Sequence, residues 1–186
     1  MLEREFPGVL DAAASGDEGA FARLWRDAHP PLLRYLQVVA GDAAEDVAAE
    51  VWLEVARKLR RFGGSEPEFR GWLFTLARRR VIDLRRSGAR RPVRLTADAG
   101  ELDRPAADDT AAAALDNLST EDALALIATL PPPQAEAVVL RVVAGLDVAQ
   151  VARILGKRPG AVRAASHRGL RALAARLAVP AVRGRE

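Results

Sequence analysis

From Phe69 to Leu84 the apolar residues Phe69, Trp72, Leu73, Leu76, Ala77, Val81 and Leu84 recur at steps of three and four. That spacing gathers side chains on one face of an α-helix and scatters them along a strand. The same periodicity, carried by Ala, Leu and Arg, prevails along the chain, while alternating β-branched runs closed by hairpin turns are missing. The chain is therefore read as all-α. With 186 residues, 49% of them hydrophobic, it is long enough and apolar enough to bury one or two small cores.

The aromatic residues divide the chain: all three Trp, the one Tyr and all five Phe lie at or before Phe74. Between the halves, from Thr96 to Asp122, the acids Asp98, Glu101, Asp103, Asp108, Asp109, Asp116, Glu121 and Asp122 face a lone Arg104 among Ala, Gly and Pro. A segment of this composition buries little and reads as a flexible acidic linker. The expected organisation is two small helical domains, residues 1–95 and 121–178, joined by a linker over 96–120 and followed by a short tail over 179–186.

Several function classes drop out. There is no Cys, and His29 and His167 are the only imidazoles, which excludes zinc ribbons, redox pairs and thiol nucleophiles. No metal or cofactor is expected. No paired carboxylates, nucleophile–base pair or glycine-rich phosphate loop stands out, so an enzyme is not expected either. The start, MLEREF, lacks an apolar run, and no stretch approaches the length of a membrane span. Membrane insertion is not expected, and a cytoplasmic location is.

Within the first half, Asp17 is placed to cap a helix carrying Phe21, Leu24 and Trp25, and Pro30 and Pro31 are expected to break it before a second helix that Gly41 stops. A third helix begins at Asp42, with Val47, Val51, Val55 and Leu59 along one stripe. Asp42, Glu45, Asp46 and Glu50 crowd its first turns, and Arg57, Lys58, Arg60 and Arg61 its last, a polarity that complements the helix dipole. Charge pattern alone favours a simply solvated face there; the sharper alternative is a docking face for a basic partner helix.

A fourth helix carries the stripe that begins at Phe69. Arg78, Arg79, Arg85 and Arg86 fall largely off it, Arg90, Arg91 and Arg94 follow closely, and Phe74 also falls outside. Phe69 and Trp72 are expected to place most of their area in the core. An arginine run this dense, interrupted only by Asp83, repels itself unless a polyanion answers it. Arginine beside exposed aromatic edges suits single-stranded nucleic acid, because rings stack on unpaired bases while guanidinium groups hold the backbone.

The second half has a helix expected from about Pro132 to near Gly145, a short helix over Asp147 to Leu155, a turn at Gly156 and a helix with Pro159 in its first position. That is a helix-turn-helix. Val148, Val151, Ala152 and Leu155 form the inner face of its first helix, and Val162, Leu170 and Leu173 that of the second. This leaves Arg158, Arg163, Ser166, His167, Arg168 and Arg171 on or near the outer surface, where the second helix of such a motif enters the major groove.

The stretches "GDEGAFARLWRDAHPPLLRYL", "GDAAEDVAAEVWLEVARKLRRF", "FRGWLFTLARRRVIDLRR" and "LPPPQAEAVVLRVVAGLDVAQVARILGKRPGAVRAASHRGLRAL", in that order, resemble regions two and four of an extracytoplasmic-function (ECF) sigma factor of the sigma-70 family. The resemblance covers nearly the whole chain outside the linker and tail. It implies a non-catalytic initiation subunit that binds core RNA polymerase through the beta-prime clamp helices and the beta flap, binds promoter DNA both duplex and single-stranded, and is silenced by an anti-sigma factor. On that reading Asp42, Glu45, Asp46 and Glu50 meet polymerase. Phe69, Trp72, Phe74, Arg78, Arg79, Asp83, Arg85 and Arg86 meet the minus-10 element, and Arg158, Arg163, Ser166, His167, Arg168 and Arg171 the minus-35 element. The chain departs from the family pattern at Arg79, often Asn, and at Arg158, Ala161 and Ala165, where Ser, Thr and Arg are usual. The competing reading is a stand-alone helix-turn-helix regulator that binds duplex DNA as a dimer. It accounts for the second half and leaves the acidic helix, the arginine-rich helix and the linker without a role.

Overall fold

The computed structural model describes residues 5–88 and 119–177, in which every regular element is helical. They belong to two units, residues 1–97 and 98–186.

The first unit contains α1 (Phe6–Ala14), α2 (Glu18–Ala40), a 3₁₀ turn (Gly41–Ala43), α3 (Ala44–Lys58), a second 3₁₀ turn (Leu59–Arg61) and α4 (Glu66–Gly88). Helix α1 packs on α2, α2 on α3 and α4, and α3 on α4. Sequence reasoning passed over α1, although Phe6, Val9, Leu10 and Ala13 follow helical spacing and all four are buried. Asp17 caps α2 as expected, its Oδ1 accepting the Ala20 N–H at 2.7 Å.

The expected break at Pro30 and Pro31 does not occur, because both prolines lie inside α2. Proline has a helical φ; what it removes is the N–H and room beside the carbonyl four residues back. Here Leu24, Ala28, Leu32, Tyr35 and Leu36 form one buried stripe running past the prolines. Each large side chain buried stabilises by about 1.5–3 kcal/mol, which offsets the two lost hydrogen bonds. Along α3, Val47, Val51, Val55 and Leu59 are all buried, as their spacing predicts.

The second unit contains α5 (Thr120–Ala128), α6 (Pro132–Val138) running into a π-helical turn (Val139–Val143), α7 (Val148–Leu155) and α8 (Pro159–Leu177). Helix α6 starts at Pro132 as expected, but its continuation widens into the π turn before Gly145 turns the chain at φ +67°. Helix α5 lies where the linker was expected to end. Ser119 Oγ caps it by accepting the Asp122 N–H at 3.1 Å, so Glu121 and Asp122 occupy its first turn, where acids suit the helix dipole. Leu124 and Ile127 anchor it to the core. The rest of the linker, the tail, and Arg90, Arg91 and Arg94 lie outside the described residues. Helix α8 packs against α5, α6 and α7. No helix among the described residues is long and apolar enough to cross a membrane.

Candidate nucleic-acid interface

Helix α4 is covered on two sides, by α2 and by α3, so its buried arc is wider than a single stripe. Phe74 falls inside that arc. It is 1% exposed, with its ring edge-on to Tyr35 at a centroid distance of 5.5 Å. The expectation that it lies outside the core is therefore wrong, and it presents no face to a base. Phe69, also 1% exposed, sits among Phe6, Phe62 and Trp72 at centroid distances of 5.7, 5.7 and 5.9 Å. Trp72 is half-buried, and one of its faces stacks on Phe62 at 5.0 Å. Leu84, placed on the apolar stripe by its spacing, is exposed.

What remains on the outer side of α4 is a second stripe at three- and four-residue steps: Trp72, Thr75, Arg79, Asp83 and Arg86, half-buried at Trp72 and exposed beyond it. Arg78 is half-buried at the edge of this strip. Arg85 is exposed, and its Nη2 donates to the Val39 carbonyl at 2.7 Å, answering an orphan acceptor at the end of α2. Arg80, absent from the sequence-derived set, sits on the α3 side, its Nη2 donating to Glu54 Oε2 at 3.1 Å. Finding that pair from sequence would have required knowing how α3 and α4 align.

Asp42, Glu45, Asp46 and Glu50 are all exposed. They are not equivalent, because Glu50 lies 3.7 Å from Arg80 Nη1. One turn further, Glu54 accepts from Lys58 at 2.5 Å and from Arg80. The hydrogen bond from Lys58 chiefly holds the Glu54 carboxyl below its usual pKa. The Lys58 and Arg80 charges add to this, while burial opposes it.

In the second unit the first motif helix, α7, is closed at both ends. Asp147 Oδ1 accepts the Gln150 N–H at 2.7 Å, and Gln150 Oε1 accepts the Asp147 N–H at 2.9 Å, a reciprocal cap on α7. Gly156 ends α7 in the left-handed region at φ +64°, which favours glycine, and Lys157 N–H returns to the Ala152 carbonyl at 3.0 Å. Val151, Ala152 and Leu155 are buried and Val148 half-buried. On α8 the residues Val162, Leu170 and Leu173 face inward as expected. Gly169 lets α8 approach α6, since a Cβ there would lie 2.6 Å from Val138 Cγ2.

Ser166 corrects the expected outer set. It is 4% exposed, and its Oγ donates to the Ala137 carbonyl at 3.4 Å. It stands four residues after Val162 and four before Leu170, so the apolar stripe already placed it inside. Arg158, Arg163 and Arg171 are exposed, and His167 and Arg168 half-buried. Arg163, His167 and Arg171 share one outer face at four-residue steps, with Arg168 beside them. Ala161 is exposed and Ala165 buried. No group of His, Asp or Glu among the described residues is arranged to hold a metal. Each unit thus offers cationic side chains on a helix face whose opposite side is locked in a core.

A family model described as Sigma-70 region 2 matches residues 20–91, and one described as Sigma-70, region 4 matches residues 120–173. The ECF RNA polymerase sigma factor ShbA of Streptomyces griseus is 36% identical over 176 residues, covering 90% of this chain and 92% of ShbA. BldN of Streptomyces coelicolor, also an ECF RNA polymerase sigma factor, is 34% identical over 171 residues, and the match spans 89% of this chain but 63% of BldN. Among solved structures, CnrH in complex with the cytosolic domain of CnrY aligns with a TM-score of 0.61 at 22% identity, covering 91% of this chain and 94% of that one. The sigma factor RpoE in complex with the anti-sigma factor NepR from Bartonella quintana aligns at 0.58 and 22%, covering 86% and 98%. These two share the fold.

Proposed function

Because the chain belongs to the extracytoplasmic-function sigma factors of the sigma-70 family, we propose that its two units divide the work of transcription initiation as follows. Asp42, Glu45 and Asp46, with the accessible side of Glu50, dock the first unit on the beta-prime clamp helices of core RNA polymerase. The outer strip of α4, from Trp72 through Arg79 to Arg86, meets the minus-10 element as its strands part, with Arg78 at its edge. The outer face of α8, with Arg158, Arg163, His167, Arg168 and Arg171, enters the major groove at the minus-35 element, and the second unit meets the beta flap.

The observation that carries this reading is the outer strip of α4. One side of that helix is committed to a core built with α2 and α3, and the other carries a half-buried indole and exposed guanidinium groups on one line. Aromatic rings stack on unpaired bases while arginines hold their phosphates. That is how a protein with no ATP chemistry and no catalytic residue holds DNA open. Asp83 is exposed on the same strip and limits how closely a phosphate approaches there.

Acting on polymerase places the protein in the cytoplasm. CnrH is paired with the cytosolic domain of CnrY, and RpoE with an anti-sigma factor; this chain is proposed to have a silencing partner of the same kind, covering its polymerase-binding face. The stand-alone regulator is not favoured, because the family match extends through the first unit as well as the helix-turn-helix.

Reversing Glu45 and Asp46 to Lys tests the docking assignment. Both are exposed, so the variant stays folded, its stability falling only by the lost helix-dipole contribution of about 0.3–1 kcal/mol for each charge, and loses affinity for core polymerase. Undiminished affinity would remove the acidic face from the account. Glu50 is unsuited to this test, since a Lys there would stand against Arg80.

A further inference from the structure

Arg80 stands between the two faces that the proposed function uses separately. Its Nη2 lies 3.1 Å from Glu54 Oε2 and its Nη1 3.7 Å from Glu50 Oε2, so two carboxylates one turn apart on α3 share one guanidinium. The exposures of the three side chains differ: Glu54 12%, Arg80 36% and Glu50 59%. Glu54, also held by Lys58, is the fixed anchor, and Glu50 is the arm within reach of an incoming basic group. The Nε of Arg80 is buried with no hydrogen-bond partner among the described residues. An unanswered buried donor is costly, and it marks an arrangement with something to gain by changing. Along α4, Arg80 adjoins Arg79 and lies three residues before Asp83, both exposed on the outer strip.

We propose that Arg80 is a positioning residue that couples polymerase docking to DNA capture. In the free protein Glu50 and Glu54 hold the guanidinium against α3. A basic group of polymerase that engages Glu50 neutralises part of that hold and repels the guanidinium. Arg80 then swings along α4 toward a phosphate of the DNA. The inference rests on the reading of the α3 acids as polymerase-binding and of α4 as DNA-facing. By linkage, polymerase and DNA each strengthen the binding of the other by the same factor. A half-exposed ion pair sets that factor at about two- to fivefold.

The test is a double-mutant cycle on the full chain with Glu54→Gln and Arg80→Met. The readout is affinity for a duplex–single-strand fork of one fixed sequence, which suffices because phosphate contacts are insensitive to sequence. Glu54→Gln is expected to raise fork affinity of the free protein about two- to fivefold, and the gain is expected to vanish in the Arg80→Met background. Glu45→Gln removes the same charge from the same helix outside the network and reports the general field alone. Arg80→Lys, which keeps the charge and loses the fork geometry, retains part of the gain and guards against a folding defect in the Met variant; melting of each variant is followed alongside. A gain no larger than that of Glu45→Gln, or one that persists without Arg80, overturns the relay. Wild-type binding to core polymerase and to the fork is measured in the same series. Failure of either takes down the proposed function and the relay with it, whereas success of both with an additive cycle takes down the relay alone.

Discussion

Trp52 donates its indole N–H to Nδ1 of His29 across 3.2 Å, tying α3 to α2, while Trp25 stacks on the same imidazole at a centroid distance of 4.4 Å. Nδ1 can accept only while it carries no proton. Burial lowers the His29 pKa from its ordinary 6.5, and the Glu45 charge pulls the other way without reversing the shift. The unfolded chain therefore binds the proton at a pH where the folded one does not. Stability from this site is complete above about 6.5 and is lost as pH falls from there through the folded pKa. Melting followed between about pH 7.5 and 5.5 is expected to show this decline in the wild type and a shallower one in His29→Asn, whose Oδ1 accepts the indole bond and does not titrate. Equal slopes would contradict the assignment.

Gly169 and Val138 set the distance between α8 and α6. A methyl at 169 would meet Val138 Cγ2 at 2.6 Å, with Gln134 and Leu130 also within 3.4 Å. Gly169→Ala is expected to destabilise the second unit by about 1–3 kcal/mol through overpacking, despite the better helix propensity of Ala. Gly169→Ala with Val138→Ala is expected to recover part of the loss, as read by thermal melting. A neutral single variant would show that the two helices yield freely.

Phe74 and Arg79 separate packing from DNA contact on one helix. Phe74→Ala is expected to cost about 3–5 kcal/mol of stability, with DNA binding lost only as the fold is lost. The milder Phe74→Leu is expected to keep fork-DNA affinity at a temperature where it remains folded. Arg79→Ala is expected to melt like the wild type and bind the fork several-fold more weakly. Reversed outcomes, with Phe74→Leu folded but unable to bind and Arg79→Ala unaffected, would show that a base displaces Tyr35 from Phe74.

Arg163 and Arg171 are exposed one above the other on α8. If both meet phosphates, replacing each with Ala lowers the slope of log affinity against log salt by about 0.9 on duplex DNA carrying a minus-35 element. Affinity for a fork lacking that element stays unchanged. A uniform loss of affinity with an unaltered salt slope would move these residues off the phosphate backbone.

The legible part of the structure was its punctuation and its stripes. Asp17, Gly41, Pro132, Asp147, Gly156 and Pro159 all mark helix ends where their chemistry places them, and Val47, Val51, Val55 and Leu59 sit in a core as their spacing requires. The illegible part depended on neighbours. Phe74 is buried because two helices cover α4 instead of one, and no periodicity within α4 contains that fact. Pro30 and Pro31 persist in α2 because the stripe beneath them is buried on both sides of the pair, a tertiary gain that local propensity leaves out. Arg80 finds Glu50 and Glu54 only through the register of α3 on α4. Ser166 was legible and was misplaced: its four-residue distance from both Val162 and Leu170 already set it inside.

The central claim is that this chain makes core RNA polymerase start at a promoter. Purified chain and core polymerase are mixed, resolved by gel filtration, and the complex is supplied with nucleotides and a library of promoter fragments. The account predicts that the chain elutes with polymerase and that transcripts begin at defined sites only in its presence, with Glu45→Lys/Asp46→Lys eluting apart and giving none. A chain that elutes alone, leaves transcription unchanged and binds a palindromic duplex as a dimer would contradict the account and establish the helix-turn-helix regulator in its place.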